Sequence, residues 1–292
     1  MTIDSGATAW VLVSAALVLF MTPGLAFFYG GLVRASSVVS MMMLSFGSLG
    51  LIAVLWVLYG YAISFSNAGT STFFGIDGWF GIDTSFLGLT AQVADAADPA
   101  GAFPSMAFVA FQATFAIITV ALISGAIADR AKFGAWMVFA GVWATVVYFP
   151  VANWVFNFTL EDGKVVDGGW IVYGLGVIDF AGGTAVHINA GAAGLALAIV
   201  LGKRFGFSKG ITQPHNVPLT LLGVALLWFG WFGFNSGSAL AANATAAMAF
   251  GTTTIASASA MMTWIFFDRI NGRKISALGA CIGAVVGLVA IT

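Results

Sequence analysis

Long apolar runs alternate with short polar breaks along the whole chain. Read as helices, they predict eight membrane spans. Their approximate limits are Thr8 to Val33, Val38 to Phe65, Phe103 to Ala128 and Phe133 to Phe156, then Val177 to Leu201, Leu219 to Leu240, Thr245 to Phe267 and Ile275 to Ile291. Pro23-Gly24 falls in the middle of the first span and predicts an interruption there. Ser66 to Gly101 reads as a loop rich in Gly and Asp. Asn157 to Gly169 reads as an acidic loop, and the stretch up to Pro218 as a polar connection carrying Lys209, Pro214 and His215.

Composition gives the same class. Hydrophobic residues make up 60% of the chain and charged residues 7%, against about 25% charged in a soluble domain. The predicted fold is an all-α polytopic membrane protein, one transmembrane domain over residues 1–292. A β-barrel would need short alternating strands instead. The near-neutral net charge of −1 and the lack of a basic block exclude nucleic acid as an expected partner. Met1 to Ala7 has no Lys or Arg and lacks the basic region of a secretory signal. Cys281 is the single cysteine and reads as a small core residue.

Charge sets the orientation. Nine of the ten basic residues, Arg34, Arg130, Lys132, Lys203, Arg204, Lys209, Arg269, Arg273 and Lys274, fall on one side of the eight spans; Lys164 falls on the other. Asp4, Asp77, Asp83, Asp95, Asp98, Glu161, Asp162 and Asp167 join Lys164. The positive-inside rule makes the first side cytoplasmic and puts the N-terminus outside the cell membrane. Ala16 to Gly24 in span one is weakly similar to Ala225 to Gly233 in span six, which runs the opposite way. An inverted repeat and chance both explain this.

Candidate chemistry is concentrated in Asp179-Phe180-Ala181-Gly182-Gly183-Thr184-Ala185-Val186-His187. It holds the one carboxylate inside an apolar run and one of the chain's two histidines. On a single helix they would lie roughly 12 Å apart along the axis, with His187 near the bilayer midplane. An ionisable group at that depth points to a pore lining, because burying it is costly; the plainer reading is a core histidine bonded to a neighbouring helix. Asp179 reads equally as a helix N-cap and as a fixed charge that attracts a cation. Phe111 and Phe115 share a face of span three, which suits ordinary packing. Trp231-Phe232-Gly233-Phe234-Asn235-Ser236-Gly237-Ser238 mixes aromatics with small and hydroxyl residues. Either interfacial anchors or an aromatic vestibule for a small cation would explain it. No Gly-rich phosphate loop, nucleophile–base pair or cluster of metal ligands is present, so neither an enzyme nor a cofactor is expected.

These residues resemble the ammonium transporters of the Amt/Mep/Rh family, on the prokaryotic Amt branch. The resemblance rests on Asp179 to Thr184 with His187-Ile188-Asn189-Ala190, on Trp231 to Asn235 with Ser238, and on Gly279-Ala280-Cys281, and it runs over the whole chain. It implies a homotrimer with one pore per subunit in the cytoplasmic membrane. It also implies capture of ammonium in an outer vestibule containing Phe111, Ser238 and Asp179. A vestibule tryptophan is expected too: Val155-Phe156 occupy the place for it, and Trp170, with Trp154 nearby, is the candidate. The resemblance makes Phe115 and Phe234 the stacked gate, and His187 and Trp231 the pore lining. It further implies deprotonation of ammonium, separate passage of ammonia and proton, and a PII-type signal protein docking near Arg130, Lys203 and Arg269. Family members have eleven spans in an inverted repeat, with a second pore histidine in the tenth. The expectation is an Amt sequence cut short after span eight, with no partner for His187 and no cytoplasmic tail. Two other functions stay open: a membrane ammonium sensor acting through a signalling partner, and a conduit for another small neutral molecule such as carbon dioxide.

Overall fold

The computed structural model describes residues 3–65, 71–73, 76–94, 102–161, 164–204, 207 and 213–292. Asp95, Asp98, Asp162 and Lys209, which count toward the charge asymmetry, lie outside the described residues. Among the described residues, eight helices of fifteen or more residues carry the fold. They are α1 (Ser5–Leu32), α2 (Ala35–Phe65), α3 (Ser105–Ile127), α4 (Phe133–Phe156), α5 (Gly183–Leu201) and α6 (Val217–Ala239), then α7 (Ala244–Ile270) and α8 (Ala277–Ile291). The first six are long and apolar enough to cross a bilayer. α7 has the length, 27 residues, but Thr252, Thr253, Thr254, Ser257 and Ser259 dilute its apolar character. α8 is apolar but has 15 residues.

Short polar side chains start four of these helices. Asp4, Asn216, Asn243 and Ser276 accept from the amides of Ala7, Leu219, Ala246 and Gly279, at 2.6, 2.9, 2.9 and 2.8 Å. Each satisfies a donor that the first turn leaves free. Two sequence expectations change. α1 runs unbroken through Pro23; the missing amide costs one bond, and Met21, Thr22, Gly24 and Leu25 are buried around it. The predicted loops hold antiparallel hairpins, Ser71–Phe73 with Ile76–Phe80 and Phe158–Glu161 with Lys164–Gly168.

The interior has two main centres. One lies among α2, α3 and α4 around Trp56, Trp136 and Phe149. Their indole nitrogens are paired: Trp56 Nε1 donates to Val109 O at 3.1 Å and Trp136 Nε1 to Leu44 O at 3.0 Å. The other lies among α1, α3 and α6 around Met21, Phe111, Phe115, Trp231 and Phe234. α1 and α6 run antiparallel along a seam of glycines. A methyl on Gly24 would lie 2.9 Å from Leu226 Cβ, and one on Gly233 would lie 2.8 Å from Ser14 O. Such contact lets two helix backbones approach in lipid, where the hydrophobic effect does not press them together. Outward faces are apolar, with Ile188, Leu195 and Ile199 on α5 and Met248, Ile255 and Met262 on α7 exposed, as a lipid-facing surface requires.

At the basic end, Arg34 Nε lies 3.4 Å from Asp129 Oδ2, and the Asp129 side chain is only 6% exposed. Arg130 donates to the carbonyls of Ala126 and Gly202, tying the end of α3 to the end of α5. His215 is exposed yet its Nδ1 sits 3.0 Å from Val33 O, so it docks on α1 and is not merely solvated. Arg34→Gln would leave the Asp129 carboxylate buried without its ion partner. The expected loss is about 1 kcal/mol, discounted because Arg34 is half exposed, or about 2–4 °C in the melting midpoint. An unchanged midpoint for the purified variant would refute the pairing.

Candidate functional site

Three helices deliver the site residues. α3 places Phe111 and Phe115 one turn apart, their ring centroids separated by 4.8 Å. α6 changes from α-helix to a wider π turn over Phe232–Ser236, which carries Phe234 toward α3. α5 opens with a π turn over Gly183–Ile188, which carries His187. A π turn holds one more residue than an α turn and so re-aims the side chains that follow it.

The five rings form a column that ends in a triangle of mutual contacts, since Trp231 and Phe234 also lie 5.5 Å apart with their planes at 35°. Phe115 and Phe234 lie 4.4 Å apart with their planes at 41°. Phe234 stacks on His187 at 5.6 Å and 21°. His187 stacks on Trp231 at 5.3 Å and 20°. Phe111, Phe115, Phe234 and Trp231 are buried; His187 is partly buried, and its Nε2 is buried with no hydrogen-bond partner among the described residues. A buried, unpaired imidazole nitrogen is costly unless something else fills its hydrogen-bonding capacity.

Asp179 sits elsewhere than expected. It is not on the helix of His187, because α5 starts at Gly183 and not at Val177. Its Oδ1 accepts from the Gly182 amide at 2.6 Å, and its Oδ2 accepts from the Thr184 and Ala185 amides at 2.9 and 3.0 Å. The carboxylate therefore gathers three backbone donors and fixes the start of α5. Gly182 makes the turn possible with φ 113°, where a side chain would be strained. The N-cap position itself is Gly182, and Asp179 reaches the first-turn amides from three residues upstream.

The outer candidates fall into two places. Ser238 Oγ donates to Phe234 O at 2.8 Å, which leaves its lone pairs as acceptors. Phe111 lies against the neighbouring Gly237: a methyl there would be 3.2 Å from Phe111 Cε2. Trp170 pairs with Trp154 at 5.7 Å, with its Nε1 buried and unpartnered among the described residues. Sequence reasoning missed Thr292, whose Oγ1 accepts from Trp231 Nε1 at 2.8 Å. The two are 61 positions apart, and no local signal links them. No group of three or more His, Cys, Asp or Glu able to hold a metal ion occurs among the described residues.

The fold defines a polytopic helical membrane protein with buried aromatic rings where α3, α5 and α6 meet. The chain belongs to the Ammonium Transporter Family, which matches residues 9–292. It is 57% identical over 297 residues to an ammonium transporter of Mycobacterium tuberculosis strain H37Rv, covering 99% of this chain and 62% of that protein. Its structure is similar to the crystal structure of Saccharomyces cerevisiae Mep2, with a TM-score of 0.86 at 34% identity, over 100% of this chain and 63% of that one. It is also similar to a sensor Amt protein, with a TM-score of 0.86 at 27% identity, covering 98% of this chain and 67% of that one. The chain thus spans a little over three fifths of the mycobacterial and yeast proteins.

Proposed function

We propose that the protein carries ammonium across the cell membrane, with the ring column as its path. The observation that carries this reading is the buried, unpartnered Nε2 of His187 at the end of the phenylalanine pair. A bare cation would meet a large desolvation cost among these rings. A neutral ammonia molecule would not, and it can exchange a hydrogen bond with an imidazole nitrogen. Phe111 and Ser238 form the outer capture site, and Trp170, beside Trp154, is a second aromatic surface on the same side: ring faces attract the cation and the Ser238 oxygen accepts from it. Asp179 contributes its negative charge and holds the turn that starts α5. Phe115 and Phe234 close the path, and ammonia passes along His187 and Trp231 while the proton crosses separately.

The assembly is a homotrimer with a pore in each subunit, its N-termini outside. A PII-type partner meets the basic face through Lys203 and Arg269; Arg130 is turned toward backbone carbonyls and contributes less. The 57% identity to a mycobacterial ammonium transporter supports the choice of solute. Similarity to a sensor Amt protein supports a second reading, ammonium sensing through a partner.

His187→Ala tests the path. In membranes energised with an ammonium gradient, the expected result is at least a tenfold fall in ammonium-dependent current, or about 1.4 kcal/mol on the barrier. Undiminished current and growth on low ammonium would refute the proposed path. A wild-type protein that binds ammonium without passing it would favour the sensor.

A further inference from the structure

Nothing that bonds to the described side chain of His187 fixes the tilt of its imidazole from the Nε2 side. Its plane lies nearly parallel to Trp231, at 20°, and to Phe234, at 21°. Trp231 is thus one of two rings that face the imidazole, it also lies 5.5 Å from the other, and what holds the indole bears on the tilt of the imidazole. That anchor is Thr292. Its Oγ1 accepts from Trp231 Nε1 at 2.8 Å and donates to Leu288 O at 2.8 Å. The donor assignments leave one arrangement: an indole N–H can only donate, so the hydroxyl hydrogen goes to the carbonyl. Thr292 also sits against the start of α5, since a methyl on Gly183 would lie 3.2 Å from its carbonyl carbon. One residue thus touches both the tryptophan and the turn that carries the histidine.

We infer that Thr292 is a positioning residue for the column: its hydroxyl orients Trp231, and Trp231 orients the His187 ring by stacking. This rests on the reading of His187 as a path residue only for its effect on transport; the positioning itself is separately measurable. The chain has two histidines, so labelled histidine gives two sets of ring signals in a bilayer NMR spectrum. His215→Asn assigns them.

Thr292→Val is expected to shift the His187 ring signals, through the changed ring current of a re-tilted indole, while Thr292→Ser leaves them in place. In a Trp231→Phe background, Thr292→Val is expected to change nothing further, because the donor it served is gone. His187 signals that stay put in Thr292→Val, or that move equally in the Trp231→Phe background, would overturn the inference. If Thr292→Val does not fold, the wild-type protein still decides. Its Trp231 indole N–H, assigned by its loss in Trp231→Phe, should show a hydrogen-bonded shift and slow exchange with deuterated water; rapid exchange would overturn the inference. Undiminished current in His187→Ala would refute the transport path but leave these spectra unaffected.

Discussion

Asp179→Ala lowers the melting midpoint of the purified protein by about 6–12 °C. One carboxylate accepts three amides, those of Gly182, Thr184 and Ala185. Alanine strands all three at the point where α5 begins. An unpaired buried donor costs about 1–3 kcal/mol, and partial burial here reduces the sum to about 3 kcal/mol. For a protein of this size each kcal/mol moves the midpoint by about 2–4 °C. Asp179→Asn keeps one carbonyl oxygen and loses the charge, so it should fall between alanine and the native residue. The comparison is a thermal melt of the three proteins in one detergent; coincident curves for alanine and aspartate would remove Asp179 from this role.

Gly223→Val prevents the fold from assembling. A methyl at Gly223 would lie 2.6 Å from Phe28 Cα and 2.8 Å from Gly24 O, both backbone atoms of α1. Backbone inside a packed helix cannot step aside as the end of a side chain can. Overpacking costs about 1–3 kcal/mol where side chains yield, and more where they cannot. The expected result is loss of the monodisperse peak in gel filtration. Gly191→Ala is the control: nothing lies within 4 Å of its added methyl, and alanine favours a helix interior by about 0.5–1 kcal/mol over glycine. It should fold as well as the native protein or slightly better. A normal peak for Gly223→Val would mean that α1 and α6 are not in backbone contact.

Much of this architecture is legible in the sequence, because a bilayer demands long apolar runs and basic residues mark their ends. The motif around Asp179 and His187, and the pair Phe111 and Phe115, are legible for the same reason: polar or ring residues stand out in apolar helices. The geometry that joins them is not. Hydropathy places the start of α5 at Val177, but the Asp179 side chain takes amides that a helix would use, and Gly182 turns left-handed. The π turns that carry His187 and Phe234 leave no periodic trace, since one extra residue per turn changes aim and not composition. Pro23 predicts a break that surrounding helices absorb. The pairing of Arg34 with Asp129, and of Trp231 with Thr292, depends on tertiary neighbours that no window of sequence contains.

The seam between α1 and α6 joins segments about 200 residues apart, and a ribosome adds about 5–20 residues each second. The first helix therefore enters the membrane roughly ten to forty seconds before the helix it is shaped to meet has been synthesised. Through that interval its glycine backbone, with the buried hydroxyls of Ser14 and Thr22, faces lipid or whatever insertion factor shields it. Delays in translation between the two segments would lengthen the exposure, and quality-control proteases have their opening during that wait.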